Sequence, residues 1–256
     1  MGLLITENNK ITMNLKNKVI LVTGSSSGIG QAIAISCAKK GAIILINYRS
    51  NINKAKETLN EVNKYSQGYI FKADLMNEKQ TNIMFSDIYS VVDDIDILVN
   101  NAGDSRPGDF LNNEQWKYQM ESIFYSALRT SQYFIKQCKT KSLSKILNIS
   151  SCYGDLKGGN IDYFSYSIAK AALSSMTVTL AKNDGRILVN AIAPGYTWTP
   201  VWNNISGKKK LAYESKTIIN RYITTDEIAH TAIFILENDA ITGQVITIDG
   251  GLSLKS

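Results

Sequence analysis

Short apolar runs rich in β-branched residues alternate along this chain with longer segments of helical character. The predicted strands cover residues 19–23, 42–48, 68–72, 95–100, 145–150, 187–193 and 244–248. The predicted helices cover residues 28–40, 51–65, 77–91, 112–137, 163–182 and 225–236. Strands that are almost continuously apolar need cover on both faces, and right-handed crossovers place helices there. The sequence therefore predicts an α/β fold, a Rossmann-type doubly wound parallel sheet of about seven strands with helices on both faces.

The length and composition suit one such domain. The 256 residues are enough to bury a full α/β core. The sequence shows no internal repeat, low-complexity tract or Pro/Gly-rich linker. It predicts a loose N-terminal extension over residues 1–13, followed by a single dinucleotide-binding and catalytic domain over residues 14–256.

The composition disfavours several classes of protein. A net charge of +6 without a long Lys/Arg run is modest for a nucleic-acid partner. No apolar stretch approaches the roughly 18 residues of a transmembrane helix, and no signal peptide is visible. One histidine and three scattered cysteines predict neither a metal site nor a disulfide framework, and favour a reducing, cytoplasmic location.

A glycine-rich turn follows the first predicted strand and opens the next helix. It contains Gly24, Ser26, Ser27, Gly28, Ile29 and Gly30. Glycines allow a tight turn and a close approach of the backbone to a pyrophosphate, while the helix N-terminus offers N–H groups and the positive end of its dipole. The turn therefore predicts a dinucleotide site.

Tyr166 and Lys170 lie four residues apart in one predicted helix, so both side chains can point from the same face. A free tyrosine has a pKa of about 10, and a nearby cation stabilises the phenolate and lowers that pKa. The pair is a candidate proton donor or acceptor for carbonyl–alcohol chemistry. Taken alone, the same spacing is also common on helix surfaces.

Together these motifs resemble the classical short-chain dehydrogenase/reductase family over about residues 14–254. The spacing of the glycines matches that family's cofactor turn, and residues 100–103 (Asn-Asn-Ala-Gly) match its second hallmark. The family's catalytic serine, tyrosine and lysine correspond to Ser151, Tyr166 and Lys170. The segment that touches the nicotinamide corresponds to Pro194, Gly195 and Thr199, and residues 242–251 match the usual C-terminal strand.

The resemblance implies a bound nicotinamide dinucleotide. Besides the glycine turn, it assigns to the cofactor Tyr48, Arg49, Ser50, Asp74, Leu75, Asn101, Ala102, Gly103, Tyr166, Lys170, Pro194, Gly195 and Thr199. The second strand ends without the acid that would bond the ribose hydroxyls of NAD, and the Arg49 guanidinium is suited to pair with a phosphate. NADP(H) is therefore the preferred cofactor. NAD(H) is the alternative if Arg49 is only a solvated loop residue.

The resemblance also implies the catalytic roles. Tyr166 donates a proton to a ketone oxygen as hydride arrives from the nicotinamide, and Ser151 hydrogen bonds the same oxygen. Lys170 lowers the pKa of the tyrosine and binds the nicotinamide ribose. Ser150 and Tyr163 are alternatives, but Ser150 still belongs to the strand pattern and Tyr163 does not precede a lysine by four residues.

One position departs from the family pattern. Ile123 stands seven residues after Trp116, where the family usually carries an Asn that bends the helix and positions a water for proton relay to the lysine. Isoleucine cannot hydrogen bond, which puts the four-residue relay in doubt. A cofactor-binding sensor or scaffold with a weakened site is therefore a rival function, although Ser151, Tyr166 and Lys170 are all present.

The substrate side is predicted from position and composition. The candidate walls are Cys152, Tyr153, Tyr163, Tyr196, Trp198 and Trp202, which suit an apolar or acyl substrate, and residues 200–220 are the predicted lid. The outline resembles 3-oxoacyl-(acyl-carrier-protein) reductases. This implies a 3-oxoacyl thioester and an acidic acyl carrier protein docking on Lys208, Lys209 and Lys210. Sugar or polyol, steroid-like and specialised-metabolite dehydrogenases stay open, and the family implies homotetramers or dimers formed through helices 112–137 and 163–182.

Overall fold

The computed structural model describes residues 13–138, 143–156, 158–182 and 185–255. The predicted N-terminal extension, residues 1–13, lies outside these ranges except for Met13. None of the helices in the described ranges is long and apolar enough to cross a membrane.

Seven parallel strands form one sheet in the order β3-β2-β1-β4-β5-β6-β7. They are β1 (Val19–Val22), β2 (Ile43–Tyr48), β3 (Gly68–Lys72), β4 (Ile97–Asn100), β5 (Ser144–Ile149), β6 (Ile187–Pro194) and β7 (Val245–Ile248). From β1 to β3 each new strand is added toward one edge of the sheet, and from β4 to β7 toward the other edge. The direction of strand addition therefore reverses between β1 and β4. Ligands of such sheets bind at this switch point, outside the carboxyl ends of the strands. The predicted doubly wound parallel sheet is confirmed.

Helices cover both faces of the sheet. They are α1 (Gly28–Lys39), α2 (Ile52–Val62), α3 (Glu78–Tyr89), α4 (Asn113–Gln119), α5 (Ser126–Gln137), α6 (Phe164–Leu180), α7 (Gly207–Glu214) and α8 (Thr225–Glu237). One buried layer packs α1 and α8 on the sheet through residues such as Ile33 and Ile228. The other packs α3 and α5 on the opposite face, through residues such as Met84 and Phe134.

The predicted continuous helix over residues 112–137 is wrong. The structure divides it into α4, a π-helix (Met120–Tyr125) and α5. A π-helix widens the turn and disrupts the regular pattern of backbone hydrogen bonds, and such insertions are common at functional sites. Hydrophobic periodicity does not reveal the interruption, because the residues on either side stay helical.

Candidate active site

The turn after β1 approaches the loop after β4 very closely. Gly24 and Gly28 both have a φ of +60°, which favours glycine. A Cβ on Gly24 would lie 2.9 Å from the Cα of Ala102. At the start of α1, the N-cap Ser27 makes no side-chain capping bond. This leaves the first-turn N–H groups of α1 without a side-chain cap and suited to an anionic group.

The loop after β4 fixes this turn by hydrogen bonds. The Thr23 hydroxyl oxygen accepts the backbone N–H groups of Asn101 at 2.9 Å and Ala102 at 3.0 Å. The Asn101 amide donates to the backbone oxygens of Thr23 at 2.9 Å and Gly24 at 3.1 Å. A Cβ on Gly30 would lie 2.3 Å from the Asn101 amide nitrogen. The two hallmark motifs therefore form one rigid unit.

A cleft of about 290 Å³ opens beside this unit. Its lining includes ten residues predicted for the cofactor: Gly24, Ser26, Ser27, Arg49, Ser50, Asp74, Leu75, Asn101, Ala102 and Gly103. It also includes residues that were not predicted: Asn47, Asn51, Lys54, Ala73, Met76, Asp104, Ser122 and Ser126. The other predicted cofactor residues do not line it: Gly28, Ile29, Gly30, Tyr48, Tyr166, Lys170, Pro194, Gly195 and Thr199.

Tyr48 stays in the sheet because successive side chains of a strand point to opposite faces. Its side chain is only 7% exposed, while the preceding Asn47 faces the cleft. Asn47 accepts the backbone N–H of Gly24 at 3.1 Å and donates to the backbone oxygen of Ala73 at 3.3 Å. The alternation of side chains along β2 is the sequence signal that could have identified Asn47, instead of Tyr48, as a residue that faces the cleft.

The segment after β6 reaches the glycine turn from the other side. A Cβ on Gly28 would lie 3.5 Å from the Cγ2 of Thr199, and one on Gly195 would lie 2.8 Å from the Cα of Asp249. Pro194 ends β6 and pairs with Ile248 of β7. The predicted nicotinamide segment is thus adjacent to the turn, although it lies outside the cleft.

Arg49 and Lys54 are the only lysine or arginine residues among the described residues that line the cleft. A hydrogen bond with Tyr118 raises the pKa of the exposed Arg49 guanidinium, and the charges of Asp74 and Asp104 add to this effect. Arg49 therefore stays cationic. Together with Lys54, it gives this end of the cleft two positive charges.

Arg129, which sequence reasoning missed, fixes the loop after β3. Its guanidinium donates to the backbone oxygen of Leu75 at 2.6 Å and pairs with Glu121 of the π-helix. Leu75 lines the cleft, so this arginine ties the cleft to the interrupted helix. A long-range contact of this kind leaves no local sequence signal.

Ser151 and Tyr166 meet where β5 ends against α6. Ser151 caps the short 3-10 helix Cys152–Gly154, its hydroxyl oxygen accepts the backbone N–H of Tyr153 at 3.2 Å, and its side chain lowers the pKa of the Tyr166 phenol. Ser151, and not the preceding Ser150, is therefore the serine that interacts with the phenol.

Ser150 faces the backbone of α6 instead. Its hydroxyl donates to the backbone oxygen of Lys170 at 3.0 Å and lies 2.7 Å from the Ser174 hydroxyl. It packs strand against helix and has no hydrogen bond with Tyr166 in the described part of the chain.

The protonation of Tyr166 and Lys170 is set by burial. Desolvation raises the pKa of Tyr166 to about 12, and the hydrogen bond from Ser151 opposes this. Desolvation lowers the pKa of Lys170 to about 8. The Lys170 ammonium lies 5.7 Å from the Tyr166 ring centroid and donates to the backbone oxygen of Ile149 at 2.6 Å. Burial therefore determines the net direction of the shift in the pKa of Tyr166, and the lowering of that pKa by Lys170 stays a prediction.

A buried amide pair positions the strands that carry these groups. Asn100 at the end of β4 donates to the Asn148 side-chain oxygen at 2.9 Å, and Asn148 donates to the Thr177 hydroxyl of α6 at 2.8 Å. Since buried polar groups are costly unless they are paired, this chain fixes β4, β5 and α6 against one another.

The predicted substrate walls form an aromatic cluster over Tyr166. The Tyr163 ring lies 6.3 Å from both the Tyr153 and Tyr166 rings, and the hydroxyls of Tyr153 and Tyr196 lie 2.6 Å apart. Tyr196 also packs 6.2 Å from Trp202. The cluster brings aromatic surface to the phenol.

Two of the predicted wall residues differ from the rest. The Lys210 ammonium lies 4.8 Å from the Trp198 ring centroid, and Trp198 also packs on Tyr222. Part of the Trp198 surface therefore contacts the predicted lid. Burial raises the pKa of the Cys152 thiol to about 12, which keeps it protonated and makes it a poor nucleophile. The predicted lid contains the 3-10 turn Pro200–Trp202 and α7.

A family model described as Enoyl-(Acyl carrier protein) reductase matches residues 24–253. The chain belongs to the classical short-chain dehydrogenase/reductase family. It is 35% identical over 248 residues to the 3-oxoacyl-[acyl-carrier-protein] reductase FabG of Aquifex aeolicus, covering 94% of this chain and 99% of that protein. The resemblance to this family, close to the 3-oxoacyl-(acyl-carrier-protein) reductases, is therefore confirmed.

Solved structures of short-chain dehydrogenases/reductases superpose closely on this chain. L-Sorbose reductase from Gluconobacter frateurii, complexed with NADPH and L-sorbose, gives a TM-score of 0.87 at 25% identity, covering 94% of this chain and 99% of that chain. The RhlG/NADP complex of Pseudomonas aeruginosa gives 0.86 at 28% identity, covering 94% and 98%. The family and these relatives identify the chain as an oxidoreductase enzyme.

The long helix carries a π-helix at the position where Ile123 replaces the family's usual Asn. The Ser126 hydroxyl donates to the backbone oxygen of Ser122 at 2.8 Å and lies 3.4 Å from that of Ile123. Ile123 is 1% exposed and packs in an apolar cluster that includes Ala169 and reaches Tyr166. The π-helix therefore forms without the Asn, and what this position lacks is the amide itself.

Proposed function

We propose that this protein is an NADP(H)-dependent reductase that converts a ketone to a secondary alcohol, with a 3-oxoacyl thioester as the default substrate. The arrangement of Ser151, Tyr166 and Lys170 carries the proposal, because the Ser151 side chain lowers the pKa of the Tyr166 phenol and the Lys170 ammonium lies 5.7 Å from the Tyr166 ring centroid. Tyr166 and Lys170 lie on the same helix, and a cleft suited to a dinucleotide opens at the same edge of the sheet.

The proposed mechanism assigns one task to each side chain. When it is bound, NADPH supplies the hydride. Tyr166 donates its proton to the oxygen of the ketone, and Ser151 hydrogen bonds that oxygen as negative charge develops. Burial keeps the phenol protonated until transfer, and the Lys170 ammonium stabilises the phenolate that remains.

NADP(H) is proposed over NAD(H) because of the charges at the end of β2. Arg49 and Lys54 line the cleft beside the N-terminus of α2, where Asn51 is the N-cap. A guanidinium, an ammonium and a helix N-terminus all favour a phosphate. Relatives solved with NADPH or NADP support the same choice.

A 3-oxoacyl thioester is proposed over a polyol because of the aromatic side chains that form the predicted substrate walls. The hydroxyls of Tyr153 and Tyr196 bond with each other, so they offer less to a sugar, whose hydroxyls need partners when they are buried. The similarity to 3-oxoacyl-[acyl-carrier-protein] reductases points the same way. L-Sorbose is the comparison substrate, since a sorbose reductase has the same fold.

The test is loss of absorbance by the reduced nicotinamide, with NADPH and NADH side by side and acetoacetyl thioester or L-sorbose as substrate. We expect acetoacetyl-dependent oxidation of NADPH well above that of NADH. Faster turnover of L-sorbose than of the acetoacetyl thioester would identify a sugar, and not a thioester, as the substrate class. Tight NADPH binding without turnover on either ketone would favour the sensor function.

An acidic carrier protein is the proposed partner, and the exposure of two of the three predicted lysines supports them as its docking site. Lys208 and Lys209 are exposed at the start of α7, while Lys210 contacts Trp198 and lies 3.9 Å from Glu214. We expect Lys208→Glu with Lys209→Glu to raise KM for the carrier-bound substrate about tenfold but not for a small thioester. An unchanged KM for the carrier-bound substrate in the double variant would contradict the proposal of an acidic carrier protein as partner.

A homotetramer or dimer is proposed through the interrupted helix and α6. Apolar side chains on these segments are exposed, among them Tyr125, Ile135, Ile168 and Val178. Exposed apolar patches of this kind mark association surfaces. Light scattering is expected to give at least a dimer at micromolar concentration, and a monomer would contradict it.

A further inference from the structure

A second cavity, of about 610 Å³, lies beside the candidate catalytic residues. We call it the tail groove and define it by Phe110, Ile161, Tyr163 and Tyr213, which line it. The Tyr163 ring packs 6.3 Å from the Tyr166 ring, so one end of the groove adjoins the phenol. Its volume lies in the range of sites that enclose a small-molecule ligand.

The walls of the tail groove are fixed before any ligand binds. The backbone N–H of Gly108 donates to the backbone oxygen of Asp162 at 2.9 Å, which joins the loop after β4 to the start of α6. The Phe110 ring packs edge-on against Phe164 at 4.8 Å, and the Trp116 indole donates to the backbone oxygen of Phe110 at 2.7 Å. A wall fixed in this way loses little conformational freedom when a ligand covers it.

The same walls expose apolar surface to solvent. Phe110 is 56% exposed and Ile161 is 74% exposed. Removing apolar surface from water is favourable in proportion to its area, so covering this rigid surface with an apolar ligand stabilises the complex. Since the two residues come from different loops that meet at the groove, a ligand between them covers both.

The charge of the groove selects against anions. Its described lining contains the carboxyl groups of Asp109 and Asp162 and neither lysine nor arginine. The Asp109 carboxylate accepts only the backbone N–H of Leu111 among the described hydrogen bonds. A carboxylate or phosphate placed here meets like charge without a compensating cation.

We propose that the tail groove binds the uncharged apolar tail of the ketone substrate, so that the enzyme acts on medium-chain or longer 3-oxoacyl groups in preference to acetoacetyl groups. This rests on the proposed function and names its substrate class. The ketone oxygen lies at Tyr166 and Ser151, and the acyl chain runs past Tyr163 to Phe110 and Ile161. A tail that ends in an anionic group does not fit such a groove.

The test is a chain-length series of 3-oxoacyl N-acetylcysteamine thioesters, from four to twelve carbons, assayed with NADPH. We expect kcat/KM to rise about two- to fourfold for each methylene that the groove buries, and then to level off. An ω-carboxylate on the longer chains is expected to cancel the gain, and Asp162→Asn to restore part of it.

Ile161→Asp is expected to flatten the chain-length profile, because it puts a charge on the wall. Leu156→Asp is the matched control. It changes an exposed residue of the same connection between β5 and α6 that does not line the groove, and its profile is expected to match that of the unchanged protein. Thermal unfolding of both variants checks that they fold alike.

The outcomes separate this inference from the function on which it rests. A flat profile in the unchanged protein, with acetoacetyl thioester reduced, overturns the tail groove and leaves the reductase. A steep profile that Ile161→Asp does not alter also overturns it. Reduction of L-sorbose but of no thioester overturns the acyl substrate, and NADPH binding without any reduction overturns both proposals.

Discussion

Tyr166→Phe is expected to lower kcat for ketone reduction by about 10²- to 10⁴-fold, the usual contribution of a positioned proton donor. The variant removes one oxygen from a half-buried side chain that interacts with Ser151, and it leaves the ring in its packing with Tyr163. KM for the cofactor is expected to change little, since Tyr166 does not line the described cleft. Steady-state kinetics with NADPH and a 3-oxoacyl thioester measures both quantities.

Tyr163→Phe is the comparison for this prediction, because Tyr163 is the other tyrosine beside the site. It is expected to cost less than about tenfold, the range of one hydrogen bond. A larger loss in Tyr163→Phe than in Tyr166→Phe would reassign the proton donor.

The pH profile reports on the same site independently. Burial raises the pKa of Tyr166 to about 12 and lowers that of Lys170 to about 8. The donor therefore keeps its proton at neutral pH, while Lys170 loses its charge as the pH rises through about 8. The reduction rate is expected to be level below that value and to fall above it, and Lys170→Met is expected to be slow at every pH and to lose this dependence. A level profile up to pH 10 in the unchanged enzyme would contradict the role of the lysine.

The sheet was predictable from sequence because each strand is a short apolar run bounded by turn residues. Every observed strand begins and ends within two residues of the predicted range. The π-helix was not predictable, since it depends on hydrogen bonds such as that of the Ser126 hydroxyl with the backbone of Ser122. Local periodicity carries no information about such bonds.

The candidate site, like the fold, was predictable from sequence only in part. Motif order brought Ser151, Tyr166 and Lys170 together, but it did not predict the direction of the Tyr166 pKa shift. That direction depends on burial by the whole aromatic cluster, which is assembled from distant segments. The tail groove was missed for the same reason, since Phe110 and Ile161 are far apart in sequence and are brought together by contacts between distant segments, such as the Gly108 to Asp162 hydrogen bond and the packing of Phe110 on Phe164.

Arg49→Ala is expected to lower kcat/KM for NADPH by about 10- to 100-fold, the range for a lost hydrogen bond to a charged group, and that for NADH by less than about threefold. Arg49 is one of two cations lining the cleft, and the 2′-phosphate is the group by which the two cofactors differ. Calorimetry with 2′,5′-ADP and 5′-ADP gives a readout that does not depend on turnover. The difference in affinity between the two ligands is expected to shrink in the variant.

Lys56→Ala is the matched control for Arg49→Ala. It removes the same charge from an exposed position on α2, outside the cleft lining. If Lys56→Ala lowered NADPH use as strongly as Arg49→Ala, the effect would come from the overall positive field and not from a contact. If the unchanged protein bound 5′-ADP as tightly as 2′,5′-ADP, NAD(H) would become the cofactor and Arg49 a solvated loop residue. Because the Arg49 guanidinium is exposed and carries several N–H donors, it is available to bind a phosphate, which favours a direct contact.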